Sequence, residues 1–201
     1  MWTYLIDAFA GPGAAFMYAI TAMAALAVAI VLERTYWLWL RWRTDLPTVL
    51  AALDRDEPAS ALGSAGPTPL GEVARIGLAE PDVDRSWEAM SGAAVQAEAA
   101  IRAHVPHLAA VGNLAVMLGL LGTIYGLMLA FSALGDAAAG EGAVRLSEGI
   151  STAMSTTAAG LIVGIFSLGA HAILEARVRA ALGAIEVVAG RVCLHLRRQG
   201  P

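Results

Sequence analysis

The stretch LAAVGNLAVMLGLLGTIYGLMLAF, residues 108–131, contains no charged residue and decides the fold class. A helix needs about 20 predominantly apolar residues to cross a hydrocarbon core of about 30 Å, and this run is long enough. Residues 14–32 and 149–174 form two further uncharged runs of comparable length. The sequence therefore predicts an all-α integral membrane protein with three transmembrane helices.

The composition supports the same class. The chain is 58% hydrophobic and 15% charged, whereas soluble proteins average about 45–50% and about 25%. A single cysteine, Cys193, rules out an internal disulfide framework. The formal net charge of −4 gives no reason to expect a nucleic-acid partner.

The arginines predict the orientation of the spans. All 13 basic residues are arginine, and only Arg145 lies in the segment 132–148 between spans two and three. The other twelve lie in segments 33–107 and 175–201. Because basic residues concentrate on the cytoplasmic side of a membrane, both of these segments are predicted to be cytoplasmic.

The N-terminal segment 1–13 and the loop 132–148 are then predicted to be periplasmic, with the N-terminus outside and the C-terminus inside. Trp37, Trp39 and Trp42 follow span one and are predicted to anchor it at the inner interface.

The cytoplasmic segments are predicted to be helical. A helix is expected within 44–62, closing at an acidic turn around residues 54–58, and further helices at 72–79 and 84–102, with a Pro/Gly loop at 63–71. The last of these helices is expected to run into span two with a kink at Pro106. After span three, an apolar stripe predicts a long helix through 175–201; its members are Val178, Leu182, Ile185, Ala189, Val192 and Leu196.

Small residues recur every three or four positions in spans two and three. Candidate helix-packing positions are Gly119, Gly122, Gly126, Gly160 and Gly164. Such rows let helix backbones approach closely in lipid. The periodicity leaves open whether they pack helices of one chain or also pack subunits into a ring.

Hydroxyl side chains cluster at the start of span three, and Thr123 adds one from span two. The candidates for a polar pore lining are Thr123, Thr152, Ser155, Thr156 and Thr157. None of the three runs contains Asp, Glu, Lys or Arg. If the protein moves protons, the titrating carboxylate must therefore come from another chain. Glu148 and His171, near the two ends of span three, are candidate pore-mouth residues.

Two motifs carry a family resemblance. AVMLGLLGTIYGLMLAF (115–131) and GISTAMSTTAAGLIVGIFSLGA (149–170) resemble the MotA/TolQ/ExbB proton-channel family, and the architecture is most similar to ExbB/TolQ-type ring subunits. The resemblance places Thr123 and Thr157 on the pore threonines of the family.

It also implies a homopentamer in the bacterial inner membrane around an ExbD/TolR-like single-span partner that supplies a membrane Asp. Such a motor uses the proton-motive force for envelope processes such as TonB-dependent import, acts with a TonB/TolA-like protein, and needs no cofactor beyond the transported protons.

Three positions depart from the family pattern. Val116 and Phe166 replace prolines that the family often has, and Thr152 replaces a common acidic residue. These departures keep open a non-conducting scaffold subunit of the same fold, and a TolQ-like envelope-maintenance motor is a second alternative. A small permease is less favoured because no span carries a substrate-pairing charge. The sequence contains no motif that predicts an enzyme or a metal site.

Overall fold

The computed structural model describes residues 9–41, 45–136 and 141–199, and almost all of them are helical. These residues contain no β-strand. The helices are α1 (Ala14–Tyr36), α2 (Leu46–Asp54), α3 (Pro58–Ala65), α4 (Pro69–Ala79), α5 (Val83–Arg102), α6 (Val105–Asp136) and α7 (Glu141–Gln199). A π-helical turn, Trp37–Arg41, directly follows α1. The all-α prediction is confirmed.

Three helical stretches of the described chain are long and apolar enough to cross a membrane: Ala14–Trp39, Val83–Ala133 and Gly142–Gln199. They contain the three predicted spans, which are thereby confirmed. The orientation and the periplasmic or cytoplasmic location of each segment stay predictions. Of the predicted segments, residues 1–8, 42–44 (with Trp42), 137–140 and 200–201 lie outside the described residues.

The chain divides into two compact units. The span unit consists of Met1–Leu32 and His104–Ala172, and the small-helix unit consists of Glu33–Ala103 and Ile173–Pro201. The predicted span boundaries at residues 32 and 174 lie close to this division.

The span unit packs α1, α6 and α7 around a small apolar core. Ile20 of α1, Ala115 of α6 and Val163 of α7 are buried at its centre. The outward faces of α6 and α7 carry large exposed apolar side chains, among them Met117, Met128, Phe131 and Ile165. Apolar side chains on the outside of a helix bundle are suited to contact with lipid or with another apolar surface.

The small-helix unit buries larger side chains. Its fully buried residues include Leu70, Val73, Met90, Ile101, Ile185, Val188 and Val192. Of the predicted stripe on the last part of α7, Val178, Ile185, Ala189, Val192 and Leu196 are buried and Leu182 is half-buried. The Thr68 hydroxyl caps α4 by accepting from Gly71 N at 3.2 Å, and Asp82 caps α5 by accepting from Arg85 N at 2.9 Å.

Two details of the short helices differ from the expectations. The helix of segment 44–62 does end at the expected acidic turn, where α2 stops at Asp54 and Asp56 has a φ of 65°, but a second helix, α3, begins at Pro58. The predicted loop 63–71 shortens to residues 66–68, with α3 ending at Ala65 and α4 beginning at Pro69. Pro58 and Pro69 each occupy the first turn of a helix, where a missing N–H breaks no hydrogen bond.

Spans two and three are both predicted to continue as long helices. The prediction holds for span three and only in part for span two. Helix α7 runs without interruption over 59 residues. Helices α5 and α6 are separated at Ala103 and His104, where His104 has a φ of 63°. The break lies just before the predicted kink and places Pro106 in the first turn of α6, where proline is tolerated.

Candidate functional site

Helices α6 and α7 approach each other through glycine. A Cβ added to Gly160 would lie 2.6 Å from the Ala115 carbonyl oxygen and 3.0 Å from the Gly119 Cα. A Cβ added to Gly119 would lie 2.9 Å from the Thr156 carbonyl oxygen. No side chain fits at either position, so the two backbones are in direct contact.

The other predicted packing glycines lie in the same contact. A Cβ on Gly126 would lie 2.6 Å from the Gly149 carbonyl oxygen, and one on Gly122 would lie 2.5 Å from the Thr156 hydroxyl. A Cβ on Gly164 would collide with the Val116 side chain. The glycine rows thus pack two helices of a single chain.

Thr123 and Thr157 meet across this contact. Their hydroxyl groups are hydrogen-bonded to each other. Thr157 Oγ1 also donates to the Gly119 carbonyl at 3.2 Å, and Thr123 Oγ1 lies 3.3 Å from the same oxygen. Both side chains are half-buried rather than enclosed. The glycines bring the hydroxyls together, because larger residues at 119 and 160 would hold the helices apart.

The other three predicted pore hydroxyls are placed differently. Thr152, Ser155 and Thr156 are buried inside the span unit. The Thr152 methyl occupies the space beside Gly13, just before α1. The Thr156 hydroxyl donates back to the Thr152 carbonyl at 2.9 Å. This bonding within the helix is the usual arrangement for Thr in membrane helices. The Thr156 hydroxyl also lies 3.1 Å from the Ala153 carbonyl oxygen, which Thr123 Oγ1 approaches at 3.4 Å, so Thr156 borders the Thr123–Thr157 pair without a direct bond to either hydroxyl.

The two predicted pore-mouth residues lie near opposite ends of the α7 stretch in the span unit. Glu148 is exposed, immediately before the buried Gly149. His171 is half-buried, and its Nδ1 lies 3.0 Å from the Val105 carbonyl oxygen at the beginning of α6. No local sequence pattern pairs His171 with a residue 66 positions earlier.

Two polar residues of the spans were missed as polar features. Ser167 is fully buried near Gly112, and its Oγ has no hydrogen-bond partner among the described residues. Asn113 is exposed on the surface of α6. Ser167 continues the row of small residues formed by Gly160 and Gly164, which hides its polar character, whereas Asn113 is recognisable in the sequence as the one amide in the run 108–131.

The arrangement limits the chemistry that these helices can perform alone. Hydroxyl groups donate and accept hydrogen bonds, but a threonine hydroxyl holds no charge at neutral pH. Within the described residues, no group of three or more His, Cys, Asp or Glu side chains is placed to hold a metal ion. The site is therefore a polar, uncharged contact between two closely packed helices.

Comparisons with known proteins place the chain in a family. The curated proteins include no match to the chain. A chain in the structure of C. jejuni MotAB is similar at 16% sequence identity and a TM-score of 0.49, covering 95% of this chain and 75% of its own length. The model of the MotA/TolQ/ExbB proton channel family matches residues 66–187, which is more than half of the sequence. The chain belongs to the MotA/TolQ/ExbB proton channel family and is a multi-pass membrane protein.

Proposed function

We propose that the chain is the ring subunit of a proton-driven motor of ExbB/TolQ type in the bacterial inner membrane. Five copies would surround an ExbD/TolR-like single-span partner, and protons would pass along α6 and α7 beside a membrane Asp of that partner. The motor would transmit energy through a TonB/TolA-like protein to envelope processes such as TonB-dependent import. The observation that carries the proposal is the half-buried hydroxyl pair Thr123–Thr157.

The chemistry of this hydroxyl pair favours a role in solvating the transported proton rather than in binding it. A pair of hydroxyls can solvate a proton or orient water beside a carboxylate, but cannot store the proton. The three predicted spans contain no Asp, Glu, Lys or Arg. The titrating acid is therefore assigned to the partner, and this chain supplies the polar wall next to it.

Burial divides the candidate pore residues. Thr123 and Thr157 are half-buried, so a partner helix or water can still reach them. Thr156 is fully buried and bonded within its own helix, which favours a packing role. Thr152 and Ser155 are buried as well, so we assign the pore to Thr123 and Thr157.

The test is proton flux through the complex. The tagged chain would be purified from its native membranes together with its partner and reconstituted into liposomes. A potassium diffusion potential would drive protons, and a pH-sensitive dye would report the internal pH. Thr123→Val and Thr157→Val keep the side-chain shape and remove the hydroxyl, so each is expected to reduce flux by about tenfold or more.

Two matched substitutions control for general effects of losing a threonine hydroxyl. Thr21 bonds back to Met17 within α1, and Thr156 bonds back within α7. Thr21→Val and Thr156→Val should leave the flux near the wild-type rate. If wild-type complexes conduct and the 123 and 157 variants conduct equally well, the pore assignment is wrong. If the wild-type complex conducts nothing, the scaffold alternative is favoured.

A further inference from the structure

His171 differs from every other residue of the three predicted spans in its acid–base chemistry. Histidine is the side chain whose ordinary pKa lies between pH 5 and 8, and runs 14–32, 108–131 and 149–174 contain no other histidine and no Asp, Glu, Lys or Arg. His171 lies 14 residues beyond Thr157, which is about 21 Å along an α-helix. It extends the row formed by Gly160, Gly164 and Ser167, the face that meets α6.

The hydrogen bond of the ring fixes the position of its proton. A backbone carbonyl can only accept, so the contact with the Val105 oxygen at 3.0 Å requires the hydrogen to be on Nδ1. In the neutral ring, Nε2 then carries a lone pair and no hydrogen. Because Val105 is the first residue of α6, the bond also ties the ring to the end of the neighbouring helix.

A second polar group lies one turn away on the same face. Ser167 is fully buried, and its hydroxyl has no partner among the described residues. A buried hydroxyl without a partner is energetically unfavourable, and a hydrogen bond to water at this position would offset that cost. Ser167 and His171 are thus two polar side chains one turn apart, at the end of the α6–α7 contact that lies farther from Glu148.

The electrostatic surroundings of the ring are simple within the span unit. His104, just before α6, and His107, in its first turn, are the titratable residues next to Val105 in the sequence, and their rings are 6.0 Å apart. Glu175, one turn beyond His171 on α7, is paired with Arg102 at 3.5 Å. The α1 run 14–32 and the segments 105–135 and 149–170 contain no Asp, Glu, Lys or Arg. No carboxylate or guanidinium of these segments competes for a proton on Nε2.

We propose that His171 is the proton-transfer residue at this end of the pathway, a role that rests on the proposed function. A proton arriving on water bonds to the Nε2 lone pair and gives an imidazolium that carries both N–H groups. The same Nε2–H bond then breaks as the proton passes to water outside the helix pair. Nδ1–H stays bonded to Val105 throughout, so the ring need not rotate.

The position of the ring proton is testable on the chain alone. Nitrogen-15 NMR of histidine-labelled protein in detergent distinguishes the two neutral tautomers, and His171→Asn identifies the signal. The expected neutral form has hydrogen on Nδ1 and a bare Nε2. A neutral ring with hydrogen on Nε2 would overturn the proposal, because that nitrogen could not accept a proton.

The role in flux is tested in the reconstituted complex. His171→Asn keeps an N–H donor near the position of Nδ1 but cannot take up a proton, so flux should fall about tenfold and its pH profile should differ from that of the wild type. His171→Ala should show the same loss, and imidazole added to the medium should restore flux. His107→Asn, at the same end of the span unit, is the matched control and should conduct at the wild-type rate.

The outcomes separate this proposal from the proposed function. If Thr157→Val reduces flux while His171→Asn conducts with the wild-type pH profile, His171 is not a transfer residue and the pore assignment stands. If His171→Ala loses flux and imidazole does not restore it, the residue acts only in packing, and the proposal is overturned. If Thr157→Val also conducts normally, the proposed function fails first.

Discussion

The span unit and the small-helix unit are stabilised by different kinds of contact. In the span unit, α6 and α7 meet through glycines and a pair of hydroxyls. In the small-helix unit, large apolar side chains fill the core, and charged groups connect its segments at the surface. Burying one apolar side chain against another gains little in lipid, where the alternative surroundings are equally apolar, so close backbone approach becomes important.

The small-helix unit also depends on a polar clasp around Asp56. The Asp56 carboxylate accepts from His195 Nδ1 at 2.8 Å and from Gln199 Nε2 at 3.2 Å. Arg191 donates to Asp54 at 2.8 Å, one turn earlier on α7. The His195 side chain is 4% exposed and the Asp56 side chain 64% exposed. Without this bond, water could still solvate the Asp56 carboxylate, whereas His195 Nδ1 would be buried without a partner.

The largest effect is expected from filling the glycine contact of the span unit. Gly160→Leu places a side chain against the Ala115 carbonyl and Gly119 and should reduce stability by about 1–3 kcal/mol or more. The measurement is thermal unfolding in detergent, followed by the loss of helical circular dichroism. Gly169→Leu is the control on the same helix, because an added Cβ there meets nothing within 4 Å. Equal melting temperatures for the two variants would contradict the difference drawn between the units.

A smaller effect is expected at the clasp. Asp56→Ala leaves the buried His195 Nδ1 without its acceptor and should cost about 1–3 kcal/mol. Asp56→Gly removes the same carboxylate, but glycine adopts the φ of 65° without strain and should be more stable than the alanine variant by about 1 kcal/mol. Thermal unfolding should therefore rank wild type above Asp56→Gly and Asp56→Gly above Asp56→Ala. An alanine variant as stable as the wild type would show that the clasp contributes nothing.

The smallest effect concerns Cys193, on the last part of α7. Burial raises the pKa of its thiol above the ordinary value, the neighbouring Arg197 lowers it, and Asp84 raises it. Since the thiolate is the reactive form, alkylation by iodoacetamide at pH 7.5 should be slower in the folded protein than in the denatured chain. The folded rate should keep rising at pH values where the denatured rate has levelled off. Folded and denatured rates that coincide at every pH would contradict this expectation.

The sequence was sufficient for features that depend on local pattern. Uncharged runs of sufficient length predicted the three spans, and the spacing of Val178, Ile185 and Val192 predicted the buried face of α7. The boundaries of the short helices are harder to predict, because proline is typical of turns and loops but also of the first turn of a helix, where Pro58 and Pro69 lie.

Features that depend on distant contacts could not be predicted. Thr152, Thr156 and Thr157 lie within six residues of one another, but their different surroundings depend on where α1 and α6 pack. The contacts of His171 with Val105 and of Asp56 with His195 join residues far apart in the sequence. The local sequence pattern assigns a residue to a helix, but only the packing of the other helices determines which groups its side chain contacts.

The contact made by Arg34 has a consequence for the architecture of the intervening chain. Its guanidinium donates to the Ala100 carbonyl at 3.3 Å, across 66 positions of sequence. Residues 34 and 100 therefore lie next to each other, and the chain between them is closed into a loop by this contact. The entropic cost of closing such a loop grows only slowly with its length. Small changes in the length of this segment can therefore be accommodated while its two ends keep the same separation.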